Sequence, residues 1–124
     1  MDIFERSPGN TLAYEYIAPT APQGVNFTFF NALSGSADMW RGAIGDALLA
    51  EGHGLLLYNM RGQPETSFTP GTSLDMDLVV ADAMALLGFV APTRPVYVGL
   101  SIGGLFAAHV HPLGTPCVGL AFIN

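Results

Sequence analysis

Gly99-Leu100-Ser101-Ile102-Gly103 has the spacing G-x-S-x-G. A serine hydroxyl is a weak nucleophile unless the chain presents it well and a base takes its proton. An apolar run, Val96-Tyr97-Val98, leads into the motif, and Gly104-Leu105-Phe106 leads out of it in helix-forming fashion. That context is the strand-to-helix turn known as a nucleophile elbow. The turn is tight enough that residues two before and two after the serine must be tiny, which Gly99 and Gly103 satisfy. Strained backbone angles then hold the Ser101 Oγ clear of the sheet. A helix N-terminus behind the serine offers a free N–H and a favourable dipole to an oxyanion. The chemistry implied is attack on a carbonyl. The competing explanation is a glycine-rich turn with no chemical task.

Two further segments bear on that chemistry. The apolar run 27–30 is followed by Asn31-Ala32-Leu33-Ser34-Gly35-Ser36 and then Met39-Trp40. A turn of small residues there can bring a backbone N–H beside the serine, or it can simply cap a helix. The third segment, Tyr58-Asn59-Met60-Arg61-Gly62-Gln63, closes an apolar run. Arg61 in it is explained equally well as a surface residue bonding loop carbonyls.

A serine nucleophile needs a base and an orienting acid. In a G-x-S-x-G elbow protein these follow the serine in the order acid, then His. No acid follows Ser101, the last being Asp82, and the histidines that follow, His109 and His111, fall in or just past the elbow helix. Both read as helix-terminal residues, and His53 as a strand-start residue. The rings of His109 and His111 point to different helix faces, which does not suit a shared metal. Asp75 and Asp77 read as partners of a helix dipole. Cys117 reads as a small buried hydrophobe inside the last strand.

The elements that must position these residues follow from the punctuation by Gly and Pro. Residues 4–6 and 11–17 flank Ser7-Pro8-Gly9-Asn10 and predict a β-hairpin. Strands are expected over 25–30, 54–58, 95–99 and 116–123. Helices are expected over 37–51 with Ser36 as cap, over 74–87 with Ser73 as cap and Gly88 as terminator, and over 102–110. Alternation of apolar strands with helices predicts an α/β fold: a mostly parallel sheet with helices on both faces and an antiparallel N-terminal hairpin. The domain reading is one hairpin, 1–18, on one βαβ core, 24–124.

Composition bounds the rest. Of 124 residues, 50% are hydrophobic and 11% charged, against about 25% charged in an average domain. Mean hydropathy is +0.41. A disordered chain is excluded. Four Arg, no Lys and ten acids give a net charge of −6, so binding to a nucleic-acid backbone is not expected. The apolar runs are strand-sized, short of the roughly 20 residues that span a membrane. The opening MDIFERSPGN has no apolar secretion segment, and one cysteine allows no internal disulfide. A cytoplasmic protein without metal or organic cofactor is the expectation.

The three segments, in this order, resemble the α/β-hydrolase superfamily. The family's pattern after its third strand is His-Gly-x-x-Gly-Ser-x-x-x-Trp, against Asn31-Ala32-Leu33-Ser34-Gly35-Ser36 and Trp40 here. After its fourth strand the pattern is Asp-x-Arg-Gly-His-Gly-x-Ser, against Asn59-Met60-Arg61-Gly62-Gln63-Pro64-Glu65-Thr66-Ser67. Asn31 in place of His, with Leu33 two positions on, looks like the 3-oxoadipate enol-lactonase branch, as does Gly-Leu-Ser-x-Gly-Gly-Leu at the elbow. The resemblance implies Ser101 as nucleophile, backbone N–H groups of Leu33 and Ile102 as the oxyanion hole, and Asn31 and Trp40 as substrate-binding. It covers the first half of a family domain. The lid, the acid and the His are then expected outside these residues, in a longer protein or in a second chain that completes the sheet. The implied activity is hydrolysis of a carboxylic ester or lactone through an acyl-enzyme. Alternatives are C–C bond hydrolysis, cofactor-free haloperoxidase activity, or a non-catalytic piece that binds a partner or ligand. Haloalkane dehalogenases and epoxide hydrolases of this fold carry Asp at the elbow, so Ser101 speaks against both.

Overall fold

The structure, a computed structural model, describes residues 1–113 and 116–124. Its strands are β1 (Asp2–Ser7), β2 (Asn10–Ile17), β3 (Asn26–Phe30), β4 (Gly54–Asn59), β5 (Pro95–Leu100) and β6 (Gly119–Ile123). They form one sheet in the order β1-β2-β4-β3-β5-β6. The hairpin β1–β2 turns through Gly9, whose φ of +79° is the left-handed geometry that tight hairpins need. β2 also pairs antiparallel with β4, and from β4 to β6 every pairing is parallel.

Side chains alternate between the sheet's two faces, and each face builds its own core. Phe30, Leu56, Tyr58 and Tyr97 face one cluster, which the helices α2 (Met76–Val90) and α3 (Ile102–Val110) cover with Ala83, Leu86, Phe106 and Val110. Phe29, Leu55, Leu57 and Val98 face the other, which Trp40, Leu48 and Leu49 cover from the helical segment 39–50. That segment holds a π-helical stretch, Arg41–Gly45, and then α1 (Asp46–Ala50). All six residues of β4 are buried, as a strand covered on both faces requires. The expected α/β architecture is therefore present.

The element ends differ from expectation for tertiary reasons. Ser36 caps no helix: its hydroxyl donates to the Asp38 carboxylate at 2.6 Å. That bond, with a backbone N–H, holds Asp38 below the ordinary carboxylate range. The Ala37 N–H donates instead to Asn59 Oδ1 at 2.8 Å, across to the end of β4. Asp75, not Ser73, caps α2, its carboxylate accepting from the Leu78 N–H at 2.9 Å. Gly88 does not end that helix. It runs on to Val90 and closes at Ala91, which takes φ 51° and ψ 56° and donates its N–H to Leu87 O. The last strand begins at Gly119, so Cys117 precedes it, half-buried, with its Sγ 3.6 Å from His111 Nδ1.

An alanine in the left-handed region carries a Cβ penalty that glycine escapes. Ala91→Gly is expected to stabilise the fold by about 0.5–1 kcal/mol, part of the relief being offset by the greater freedom of glycine in the unfolded chain. A thermal unfolding midpoint that falls in this variant contradicts the prediction.

Candidate active site

Ser101 sits between β5 and α3 with φ 55° and ψ −121°, a conformation that L-residues rarely adopt. Such strain persists only where the surroundings impose it. Here they do. The Ser101 N–H donates to Ile123 O at 2.8 Å, and the Ser101 carbonyl accepts from the Gly104 N–H at 3.0 Å. A Cβ on Gly99 would lie 2.6 Å from the Gly103 carbonyl carbon and closer still to Gly104 N. A Cβ on Gly103 would strike Phe30 O and stand 2.7 Å from Asn31 O. The elbow glycines therefore have separate tasks. Gly99 lets the chain fold back on itself, and Gly103 lets the first turn of α3 press against the end of β3.

That contact places the start of α3 beside the loop that leaves β3. Leu33 in this loop and Ile102 at the head of α3 line one cavity of about 500 Å³, with Met60, Gln63, Met76 and Phe106 among its walls. Ser101 lines a separate space of about 390 Å³ with Leu105, Phe122 and Ile123. The elbow thus stands between two cavities. The first N–H groups of an α-helix have no partner within it, so the Ile102 N–H is a donor that α3 itself does not use.

Asn31 and Trp40 are buried, 2% and 7% exposed. Asn31 Oδ1 accepts from Trp40 Nε1 at 2.8 Å, and Asn31 Nδ2 donates to Tyr58 O at 2.8 Å and Gln63 Oε1 at 3.0 Å. The indole also packs on Phe29, ring centroids 4.5 Å apart. Both residues border a smaller cavity of about 100 Å³. Their polar atoms are spent on holding the loop.

Asn59 and Gln63 are organising residues that sequence reasoning missed. Asn59 accepts from Ala37 N–H and donates to Pro64 O at 2.9 Å. Gln63 bridges the loops after β3 and β4. Arg61, for which a surface role bonding loop carbonyls is one of two equal explanations, has a side chain only 8% exposed. Its Nη2 donates to Asp82 Oδ1 at 3.0 Å, and its Nε lies 2.8 Å from Oδ2, an ion pair off the hydrogen-bond angle. Arg6 Nε reaches the same carboxylate at 2.9 Å, and Arg61 Nη1 donates to Asn10 Oδ1 at 3.1 Å. One buried carboxylate on α2 thus ties together the hairpin and the loop after β4. Nearby, the Tyr58 hydroxyl is buried without a hydrogen-bond partner among the described residues. Burial, and then the charge of Asp82, push its phenol well above the ordinary tyrosine range.

The histidines are engaged elsewhere. His53 Nδ1 accepts from the Val25 N–H, His109 Nδ1–H donates to Leu105 O, and His111 Nδ1 accepts from the Cys117 N–H. Among the described residues no cluster of His, Cys, Asp and Glu suits a metal, and no helix is long and apolar enough to cross a membrane.

A family model described as alpha/beta hydrolase fold matches residues 26–112, more than half of the chain. The chain belongs to the α/β-hydrolase fold family. Solved structures agree on the α/β-hydrolase fold. A carboxylesterase structure from the thaumarchaeon Nitrososphaera gargenis superposes with a TM-score of 0.84 at 19% identity, over 98% of this chain and 44% of that one. An α/β-hydrolase enzyme from a Medee basin deep-sea metagenome library gives 0.81 at 20%, over 98% and 43%. An esterase from Exiguobacterium antarcticum gives 0.79 at 17%, over 97% and 43%. This α/β-hydrolase chain thus spans less than half the length of these structures. No curated protein sequence matches it.

Two outcomes test this packing. Gly103→Ala is expected to cost about 3 kcal/mol or more, because its Cβ meets backbone that cannot move aside. Gly88→Ala, in open space within α2, is expected to stabilise by about 0.5–1 kcal/mol. Equal urea midpoints for the two variants would refute the close approach. Tyr58→Phe is expected to leave stability unchanged or raise it by up to about 1 kcal/mol, since it removes an unpaired buried hydroxyl. A clear loss in the same measurement would show that the hydroxyl has a partner.

Proposed function

We propose that this chain carries the nucleophile and the oxyanion hole of a serine hydrolase acting on carboxylic esters or lactones. The observation that carries the reading is Ser101 held at φ 55° at the head of α3, with Ile102 and Leu33 on one cavity wall. Ser101 Oγ attacks the carbonyl carbon, and the oxyanion that forms accepts hydrogen bonds from the Leu33 and Ile102 N–H groups. Such donors act strongly because they are fixed before charge develops. The alcohol leaves, and water then releases the acyl group from Ser101. The mostly apolar walls of the 500 Å³ cavity, Met60, Met76 and Phe106 among them, suit an uncharged organic group. Asn31 and Trp40 act on substrate through the loop they hold and through the small cavity they border.

Each of the three histidines has an Nδ1 bonded to the backbone, and none of these bonds involves Ser101. In the chain order of elbow proteins the acid and then the His follow the serine, and no acid follows Ser101 in residues 102–124, so this reading takes the orienting acid and the base from outside residues 1–124. Elbow and loop similarity to 3-oxoadipate enol-lactonases makes lactones the first substrates to try. The same observation about the histidines favours a second reading, in which the chain binds a partner or ligand without turnover.

In the native protein, a fluorophosphonate is expected to label Ser101 covalently, and Ser101→Ala is expected to abolish both labelling and aryl-ester turnover. Labelling that survives the substitution removes Ser101 from the mechanism. An unlabelled but folded parent protein favours the binding reading.

A further inference from the structure

The Gln63 side chain makes contacts on both ends of its amide. Nε2 donates to Ala32 O at 2.9 Å and to Leu33 O at 3.2 Å. Oε1 accepts from the Met60 N–H at 3.1 Å and from Asn31 Nδ2 at 3.0 Å. The orientation of the amide follows from its neighbours. Turned over, it would set its oxygen against two carbonyls and its NH₂ against two donors.

These contacts act on Leu33 from both sides. In a planar trans peptide the carbonyl and the N–H point in opposite directions. Ala32 O is held by Gln63 and also by the Gly35 N–H at 2.9 Å. The Leu33 N–H shares that peptide plane, so it is aimed away from Gln63 and cannot swing without breaking both bonds. The next peptide is held through Leu33 O. Packing does not supply this order, because Leu33 is 73% exposed. Asn31, buried at the start of the loop, is also contacted by Gln63.

We propose that Gln63 is a positioning residue that presets the Leu33 N–H as an oxyanion donor. The proposal rests on Ser101 being the nucleophile. It assigns the work to the Nε2 donor in particular, since that is the atom touching the Ala32 and Leu33 carbonyls. Gln63→Glu keeps the shape and the acceptor but replaces the donor with an oxygen facing two carbonyls. Gln63→His can return one N–H to Ala32 O.

The test is steady-state hydrolysis of an aryl ester by the native protein and by both variants. For Gln63→Glu, kcat is expected to fall about 30–100-fold, approaching the loss seen when an oxyanion donor is removed, while KM moves by less than about threefold. Gln63→His is expected to recover kcat to within about tenfold of the parent. A purely structural role would not separate kcat from KM or distinguish the two variants. The proposal is overturned if Gln63→Glu keeps its kcat within about threefold, or if Gln63→His is as impaired as Gln63→Glu. If Gln63→Glu does not fold, the Gln63→His result alone decides. A parent in which fluorophosphonate does not label Ser101 refutes the nucleophile assignment itself, and the proposal with it. A labelled parent with unimpaired variants refutes only the role of Gln63.

Discussion

The close approach of α3 to the end of β3 is the constraint on which the other features depend. It exists because residue 103 has no side chain: a Cβ there would collide with Phe30 O and crowd Asn31 O. With that contact made, the head of α3 faces the loop that leaves β3. The Ile102 and Leu33 backbones come to one cavity, and Ser101 is forced into its strained angles at the junction. The strain is local, and the surrounding cores sustain it. Phe30 and Tyr97 below the sheet and Phe29 and Val98 above it leave β3 and β5 no freedom to separate.

A second layer of order comes from neutral amides. Asn31, Asn59 and Gln63 hydrogen-bond one another and the backbone around them, joining the loops after β3 and β4. The family pattern has charged or titratable groups, His and Asp, at these positions. Amides supply donors and acceptors there without a charge to bury, so their bonds do not depend on protonation state. Among the described residues, buried charge gathers where Asp82 meets Arg6 and Arg61. A carboxylate so placed is costly to strip of its partners, which makes it a fixed anchor for the hairpin and for the loop bearing Gln63.

The sheet ends on two exposed edge strands, β1 and β6. β1 pairs with β2 as a hairpin and exposes Ile3, whereas β6 carries exposed Leu120, Phe122 and Ile123. Of these, Phe122 and Ile123 line the space of about 390 Å³ that Ser101 also borders.

What the sequence by itself determined was periodic or local. Apolar runs set the β3, β4 and β5 strands, and Gly99-Leu100-Ser101-Ile102-Gly103 announced the elbow, because each signal lies within a few consecutive residues. The tertiary structure decided what depends on partners far along the chain. Asn59 reaches Ala37 across 22 positions, Gln63 reaches Asn31 across 32, and Arg6 reaches Asp82 across 76. No spacing rule could pair them. The same cause moved the helix ends. Ser36 caps nothing, because the helical segment begins at Met39 and the Ala37 N–H is taken by Asn59 at the end of β4. Gly88 was passed over because the α2 backbone there is helical and the left-handed turn falls at Ala91. Single-residue chemistry was readable in advance. Which polar groups satisfy one another was settled only when the sheet brought its strand ends together.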